Sequence, residues 1–93
     1  MKIIYDEKFI NLFLNIWDYI SQDSKIKANK FKFELRQKIE NLTFMPYKCR
    51  KSIYFNNEDI RDLIYKGYTI VYKIDTDKNS IIILGIKKYK EKF

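Results

Sequence analysis

Residues 60–88 read IRDLIYKGYTIVYKIDTDKNSIIILGIKK, and the pattern within them sets the architecture. Two strand-like runs, 60–65 and 68–75, flank Lys66-Gly67, a two-residue turn with glycine where a positive φ is needed. Residues 76–79 form a second turn. The third run, 80–88, has the continuous apolar character typical of a central strand covered on both faces. The stretch therefore predicts a three-stranded antiparallel meander.

The N-terminal part of the chain has the period of helices. Apolar residues recur at helical spacing through 9–20 and 28–42, which predicts helices over 7–21 and 25–43. Asp6 and Ser24 stand at their N-cap positions. The short corner between the helices makes them antiparallel neighbours, and residues 2–5 predict a strand at the sheet edge. We expect one α+β domain over 1–93: an N-terminal helical hairpin packed on a small, mostly antiparallel sheet, in the order β-α-α-β-β-β.

Composition excludes several kinds of site. The 93 residues include no histidine and one cysteine, Cys49. A histidine general base, a histidine-ligated metal and a Ser–His triad are therefore excluded, and we expect neither a metal nor a cofactor. One cysteine forms no intrachain disulfide, which suits a reducing compartment. No apolar stretch approaches the roughly 20 residues that span a bilayer, so we expect a cytoplasmic protein without a membrane partner.

The chain is basic, with 19 Lys and Arg against 12 Asp and Glu, a net charge of +7. The excess lies in residues 25–51, where nine basic residues face two glutamates. A basic surface attracts nucleic acid, anionic lipid or an acidic protein, and charge alone does not choose among them.

Regular alternation through the two turns sorts the sheet residues into two faces. One face is richer in apolar residues and tyrosine, and we assign it to the helices. The other face is expected to be open, with Lys73, Lys88 and Lys90 at its edge and Tyr89 pointing away from it. An open aliphatic patch indicates a surface that a partner covers. Its aliphatic residues are Ile60, Ile64, Val71, Ile82, Leu84 and Ile86.

Several short motifs, in this order, resemble the RelE/ParE superfamily of bacterial toxins. They are Asp18-Tyr19-Ile20 with Asp23-Ser24 just after it, then Leu42 followed by Pro46 and Arg50, then Ile60-Arg61-Asp62-Leu63, Gly67-Tyr68-Thr69-Ile70-Val71-Tyr72-Lys73-Ile74 and Ile82-Ile83-Leu84-Gly85-Ile86. The resemblance implies the toxin of a type II toxin–antitoxin module. It also implies an acidic antitoxin that wraps the toxin in a hetero-oligomer. We expect that antitoxin to bind the six aliphatic residues of the open face.

The superfamily divides by function. RelE-like members cleave messenger RNA on the ribosome, whereas ParE-like members poison DNA gyrase and are not nucleases. The Arg-Asp-Leu at 61–63 looks like the ParE-type strand. RelE-like members often carry an arginine just before the hairpin turn, where this chain has Ile64 and Tyr65. The resemblance therefore favours a ParE-like, non-enzymatic gyrase poison. The alternatives are a metal-independent, ribosome-dependent endoribonuclease and a member that has lost its activity.

Candidate target-binding residues lie in the strands and at the C-terminus. They are Arg61, Lys73, Lys88, Tyr89 and Lys90. Cleavage of RNA by its own 2′-hydroxyl needs a base, a cation for the phosphorane and an acid for the leaving oxygen. If the protein is an enzyme, the catalytic candidates near one end of the sheet are Lys73, Lys88 and Tyr89.

Overall fold

The computed structural model describes residues 1–88. Within them the chain forms two α-helices, a 3-10 turn at Asn41–Thr43 and five strands. The elements in chain order are β1 (Lys2–Tyr5), α1 (Glu7–Asp23), α2 (Lys25–Glu40), β2 (Arg50–Lys51), β3 (Ile60–Tyr65), β4 (Tyr68–Asp75) and β5 (Ser80–Lys88). The predicted α+β architecture is confirmed, and β2 is the element that the sequence pattern did not predict.

Local side-chain chemistry fixes where the elements begin. The Asp6 carboxylate accepts from the Lys8 amide at 3.1 Å, and the Ser24 hydroxyl accepts from the Lys27 amide at 3.2 Å. Each side chain satisfies an amide that the first helical turn leaves free. At the β3–β4 turn, Lys66 and Gly67 have φ values of 48° and 81°. Two positive φ values give the turn whose twist matches the flanking strands.

The sheet has the order β1-β5-β4-β3-β2. β1 runs parallel to β5, and the other three pairings are antiparallel. The helices cover one face of this sheet. The buried core between the two layers combines residues of both helices, the 3-10 turn and three strands: Phe9, Phe31, Leu35, Ile39, Leu42, Tyr65, Ile70, Tyr72, Ile74, Ile81, Ile83 and Ile86.

A bulge in β5 changes the sorting of the two faces. Tyr72 pairs with Ile83, but the next residue of β4, Val71, pairs with Gly85, so Leu84 has no partner residue in β4. An extra residue in one strand exchanges the faces of every side chain beyond it. The faces predicted for residues 80–83 are confirmed, and those predicted for 85–88 are wrong. Ile86 lies opposite Ile70 in the core and is 1% exposed.

Candidate functional site

The sheet face opposite the helices is the candidate site, and it is less open than the sequence predicts. Of the aliphatic residues assigned to it, Ile64 is 45% exposed, and Ile82 and Leu84 are half-buried. Ile60 and Val71 are buried, with exposed fractions of 9% and 1%. Ile86 belongs to the core, because the bulge turns it toward the helices. Ile64, Ile82 and Leu84 therefore remain as the accessible aliphatic side chains of the predicted set.

The chain covers part of this face with its own residues 52–55. The Ile53 amide donates to the Asp62 carboxylate in β3 at 3.1 Å. Farther across the sheet, the Lys87 ammonium of β5 lies 5.4 Å from the centroid of the Tyr54 ring. Asp62 pairs with Val71 and Lys87 pairs with Thr69. Val71 and Thr69 are two residues apart in β4, so Asp62 and Lys87 lie on the same face. The segment after β2 therefore crosses the face from its β2 edge toward β5.

Polar side chains are buried beneath this cover. Asp62 is 2% exposed, Thr69 is 0% exposed and Lys87 is 8% exposed. The second oxygen of Asp62 and the Thr69 hydroxyl have no hydrogen-bond partner among residues 1–88. An Arg50 nitrogen lies 3.4 Å from the Asp62 carboxylate, and the Arg50 side chain remains 41% exposed. The face thus combines the buried carboxylate of Asp62 with two cations, Lys87 and Arg50, and the Arg50 side chain reaches solvent.

Sequence patterning could have pointed to this cluster, although Asp62 was not among the predicted site residues. An aspartate inside a strand, between Arg61 and Leu63, is unusual because such residues are depleted in strands. A buried carboxylate in addition needs a partner. Its partner Arg50 lies twelve residues earlier, in the two-residue strand that carried no periodic signal.

The predicted cationic candidates do not converge. Lys73 is exposed on the open face, opposite Ile60 and Ile82. Lys88 pairs with Tyr68 on the helix side, and its ammonium lies 5.7 Å from the centroid of the Tyr19 ring in α1. Its predicted place beside Lys73 is wrong, because the bulge exchanges the faces of the side chains that follow Leu84. Tyr89 and Lys90 lie outside the described residues.

Arg61, another predicted target contact, is engaged within the chain. Its guanidinium donates to the Glu58 carbonyl at 2.9 Å and the Cys49 carbonyl at 3.1 Å. The same group lies 4.9 Å from the Tyr47 ring centroid, and its side chain is 16% exposed. These contacts hold the irregular segment between α2 and β3 against the sheet, so Arg61 has a structural role here.

Three tyrosines are poor candidates for a general base, and two of them, Tyr65 and Tyr72, lie in the core on the helix side of the sheet. Burial and a hydrogen bond to Glu34 raise the pKa of Tyr65 to about 12. Burial, with the neighbouring Cys49 thiol, raises the pKa of Tyr72, whose hydroxyl donates to the Pro46 carbonyl at 2.6 Å. The hydrogen bond to Asp59 raises the pKa of Tyr47. A base must lose its proton near neutral pH, and these environments favour the neutral phenol.

Within residues 1–88, no three side chains from histidine, cysteine, aspartate and glutamate come together as ligands for a metal ion. No helix in the same range is long and apolar enough to cross a bilayer.

Comparison with known proteins gives the family. The sequence-family model for the ParE toxin of type II toxin–antitoxin systems matches residues 3–93 of this chain. The chain belongs to the ParE toxin family. A search of curated protein sequences gives no significant match. This ParE-family chain is similar in fold to a protein of the chromosomal ParDE system from P. aeruginosa, with 16% identity, a TM-score of 0.76 and 97% of each chain covered.

Two E. coli structures show the same fold. The isolated RelE toxin is 16% identical with a TM-score of 0.62, and the match covers 97% of this chain and 85% of RelE. A chain of the intact RelBE toxin–antitoxin complex is 17% identical with a TM-score of 0.60, and the match covers 97% and 98% of the two chains. The resemblance to the RelE/ParE superfamily inferred from the sequence is confirmed.

Proposed function

We propose that this ParE-family chain is a growth-inhibiting toxin that acts on DNA gyrase in the cytoplasm and is neutralised by an acidic antitoxin. The observation that carries the choice of target is the separation of Lys73 and Lys88 onto opposite faces of the sheet. A ribonuclease needs its base and its charge-stabilising cation at one scissile phosphate. A surface that binds a large protein target has no such requirement.

The surroundings of Arg61 and of three tyrosines support the same choice. Arg61 is engaged by its own chain, and the environments of Tyr47, Tyr65 and Tyr72 favour the neutral phenol. Lys73, exposed on the open face, stays a proposed contact with the target. Tyr89 and Lys90 stay proposed contacts as well, because they follow directly after β5.

Two observations support an antitoxin partner: the open face of the sheet, and the toxin–antitoxin systems from which similar structures come. Two of the similar structures come from a ParDE system and from a RelBE toxin–antitoxin complex. On this chain Ile64, Ile82 and Leu84 offer aliphatic contacts, and the exposed Lys73 pairs with Ile82. We propose these residues as antitoxin contacts, with Ile60 and Val71 buried behind them. Such a surface suits an amphipathic segment that carries carboxylates.

The test of the target expresses the toxin from an inducible promoter, with and without the adjacent reading frame. Purified toxin is then incubated with gyrase and supercoiled plasmid, and messenger ends are mapped in the induced cells. We expect growth arrest relieved by the adjacent product, gyrase-dependent linear plasmid and intact messengers. Ribosome-dependent cleavage of messengers without plasmid breakage would refute the gyrase target and support the endoribonuclease. Absence of both would indicate a member without activity.

Variants connect the result to the surface. Lys73→Glu should reduce plasmid linearisation, because it reverses an exposed charge of the open face. Lys78→Glu, the same change in the exposed β4–β5 turn, is the matched control and should retain it. Ile64→Asp should weaken antitoxin binding. Equal toxicity of a folded Lys73→Glu variant and the wild type would remove Lys73 from the target surface.

A further inference from the structure

Residues 52–55 lie across the open sheet face between its accessible aliphatic side chains. At one end of the face Ile82 pairs with Lys73 of β4, and at the other end Ile64 pairs with Thr69 of the same strand. The segment covers the row between these two ends. A partner that contacts both ends must therefore cross the place that the segment occupies.

The segment meets the sheet through a hydrogen bond and a contact between a cation and a ring. The Ile53 amide donates to the Asp62 carboxylate at 3.1 Å, and Asp62 pairs with Val71 in the middle row. The Tyr54 ring centroid lies 5.4 Å from the Lys87 ammonium. Ile53 itself is 64% exposed. Its side chain adds little apolar burial, so the segment can lift at a low cost in free energy.

The closed segment leaves polar groups beneath it unsatisfied. The second oxygen of Asp62 and the Thr69 hydroxyl are buried, and neither has a hydrogen-bond partner among residues 1–88. A buried polar group without a partner is costly. Solvent reaches both groups once the segment lifts, so the open form relieves a penalty that the closed form carries.

We propose that residues 52–55 form a strap that opens while the core stays folded, and that gyrase binds the open form. Opening moves the Tyr54 ring off Lys87 and exposes this ammonium together with the Asp62 carboxylate, on the face that already presents Lys73. The target then contacts one continuous polar surface. The inference rests on the proposed function, since it assigns a conformational gate to the surface proposed to contact gyrase.

The gate has a quantitative consequence. When only the open form binds, the apparent affinity scales with the open fraction, so a variant that raises this fraction tenfold strengthens apparent binding about tenfold. Tyr54→Ala should raise it, because it removes the ring that contacts Lys87. Tyr19→Ala is the matched control. It removes a ring whose centroid lies 5.7 Å from the ammonium of the next residue, Lys88, on the helix side.

The first measurement is the rate at which a buried thiol is labelled in the folded protein. In a Cys49→Ser background, Thr69→Cys places the thiol beneath the strap, and Ala28→Cys places it in α2 at a position that is also 0% exposed. We expect labelling at position 69 to be at least about a hundredfold faster and nearly independent of low urea, because a local opening exposes little surface. Labelling at position 28 should follow global unfolding and rise steeply with urea. Circular dichroism checks the fold of each variant, and hydrogen exchange of the Ile53 amide repeats the comparison in the unaltered chain.

The second measurement connects opening to the target. Tyr54→Ala should raise labelling at position 69 about tenfold, and Tyr19→Ala should leave it within about twofold. With purified gyrase and supercoiled plasmid, Tyr54→Ala in the native background should give the wild-type yield of linear plasmid at about tenfold lower toxin concentration. Tyr19→Ala should need the same concentration as wild type.

Each other outcome has a defined meaning. Equal labelling at positions 69 and 28, with the same urea dependence, would show that the face opens only on global unfolding and would overturn the strap. Faster labelling in Tyr54→Ala without a gain in linear plasmid would overturn the gate. If wild-type toxin gives no gyrase-dependent linear plasmid, the proposed target fails and the gate fails with it, while the labelling rates still decide whether the strap opens.

Discussion

Deletion of Leu84 is the most direct test of the bulge that sorts the faces of the sheet. With Leu84 removed, Ile83 would be followed by Gly85, and the pairings of Gly85 with Val71 and of Ile86 with Ile70 would continue in regular register. β1 pairs only with residues 80–83, so its ladder is not disturbed. The chain should therefore tolerate the loss of one residue in the middle of its longest strand.

The size of the effect follows from burial. Leu84 is half-buried, so its deletion should cost about 1 kcal/mol of apolar contact. Deletion of Ile86 is the matched control, because a regular ladder would then place Gly85 opposite Ile70. The core then lacks the Ile86 side chain, which is 1% exposed, and the loss should cost about 3–5 kcal/mol. A domain of this length has roughly 5–14 kcal/mol of stability in total.

Urea and thermal unfolding of the two deletion variants, each beside its parent, measure the difference. Each 1 kcal/mol should lower the Tm by roughly 4–8 °C. We expect a decrease of about 5 °C without Leu84 and more than about 15 °C without Ile86. A Leu84→Ala variant separates the loss of the side chain from the change in register. Equal destabilisation by the two deletions would refute the bulge as the origin of the face exchange.

Three further changes test other parts of the fold. Gly67→Ala should lower stability by about 1 kcal/mol in a thermal melt, because Gly67 has a φ of +81° that alanine adopts only with strain. No atom lies within 4 Å of the added Cβ, so a clash adds nothing, and Gly67→Asn should cost less. Stability should fall as pH rises from about 10 to 12, because the folded state raises the pKa of Tyr65 to about 12 and the unfolded chain loses this proton more readily. The urea midpoint measures this decline, and Tyr65→Phe should flatten it. Asp62→Asn should speed hydrogen exchange of the Ile53 amide and leave core amides protected, because it weakens the anchor of residues 52–55.

The predicted parts of the fold are those with local causes. The period of the apolar residues, the caps at Asp6 and Ser24 and the positive φ at Gly67 depend on neighbours in sequence, and all of them appear in the structure. β2 is two residues long, too short for any alternation to show. Its existence depends on pairing with β3, which is a contact between distant parts of the chain.

The wrong faces predicted for Ile86 and Lys88 have one origin. A glycine inside a strand often marks a bulge, and Gly85 gave that signal in the middle of an apolar run. Regular alternation across it placed Ile86 and Lys88 on the wrong face. Arg61 illustrates a different limit, because its partners Cys49 and Tyr47 belong to an irregular segment whose path no periodicity describes.

The bulge also explains where Lys87 and Lys88, adjacent in sequence, direct their side chains. Residues 80–83 of β5 are held between β1 and β4, and beyond them the extra residue turns Lys87 toward Tyr54 and Lys88 toward Tyr19. Cations adjacent in sequence thus serve opposite sides of the sheet. The side chains proposed to contact the target and the antitoxin, Lys73 with Ile64 and Ile82, lie on the face toward which Lys87 turns.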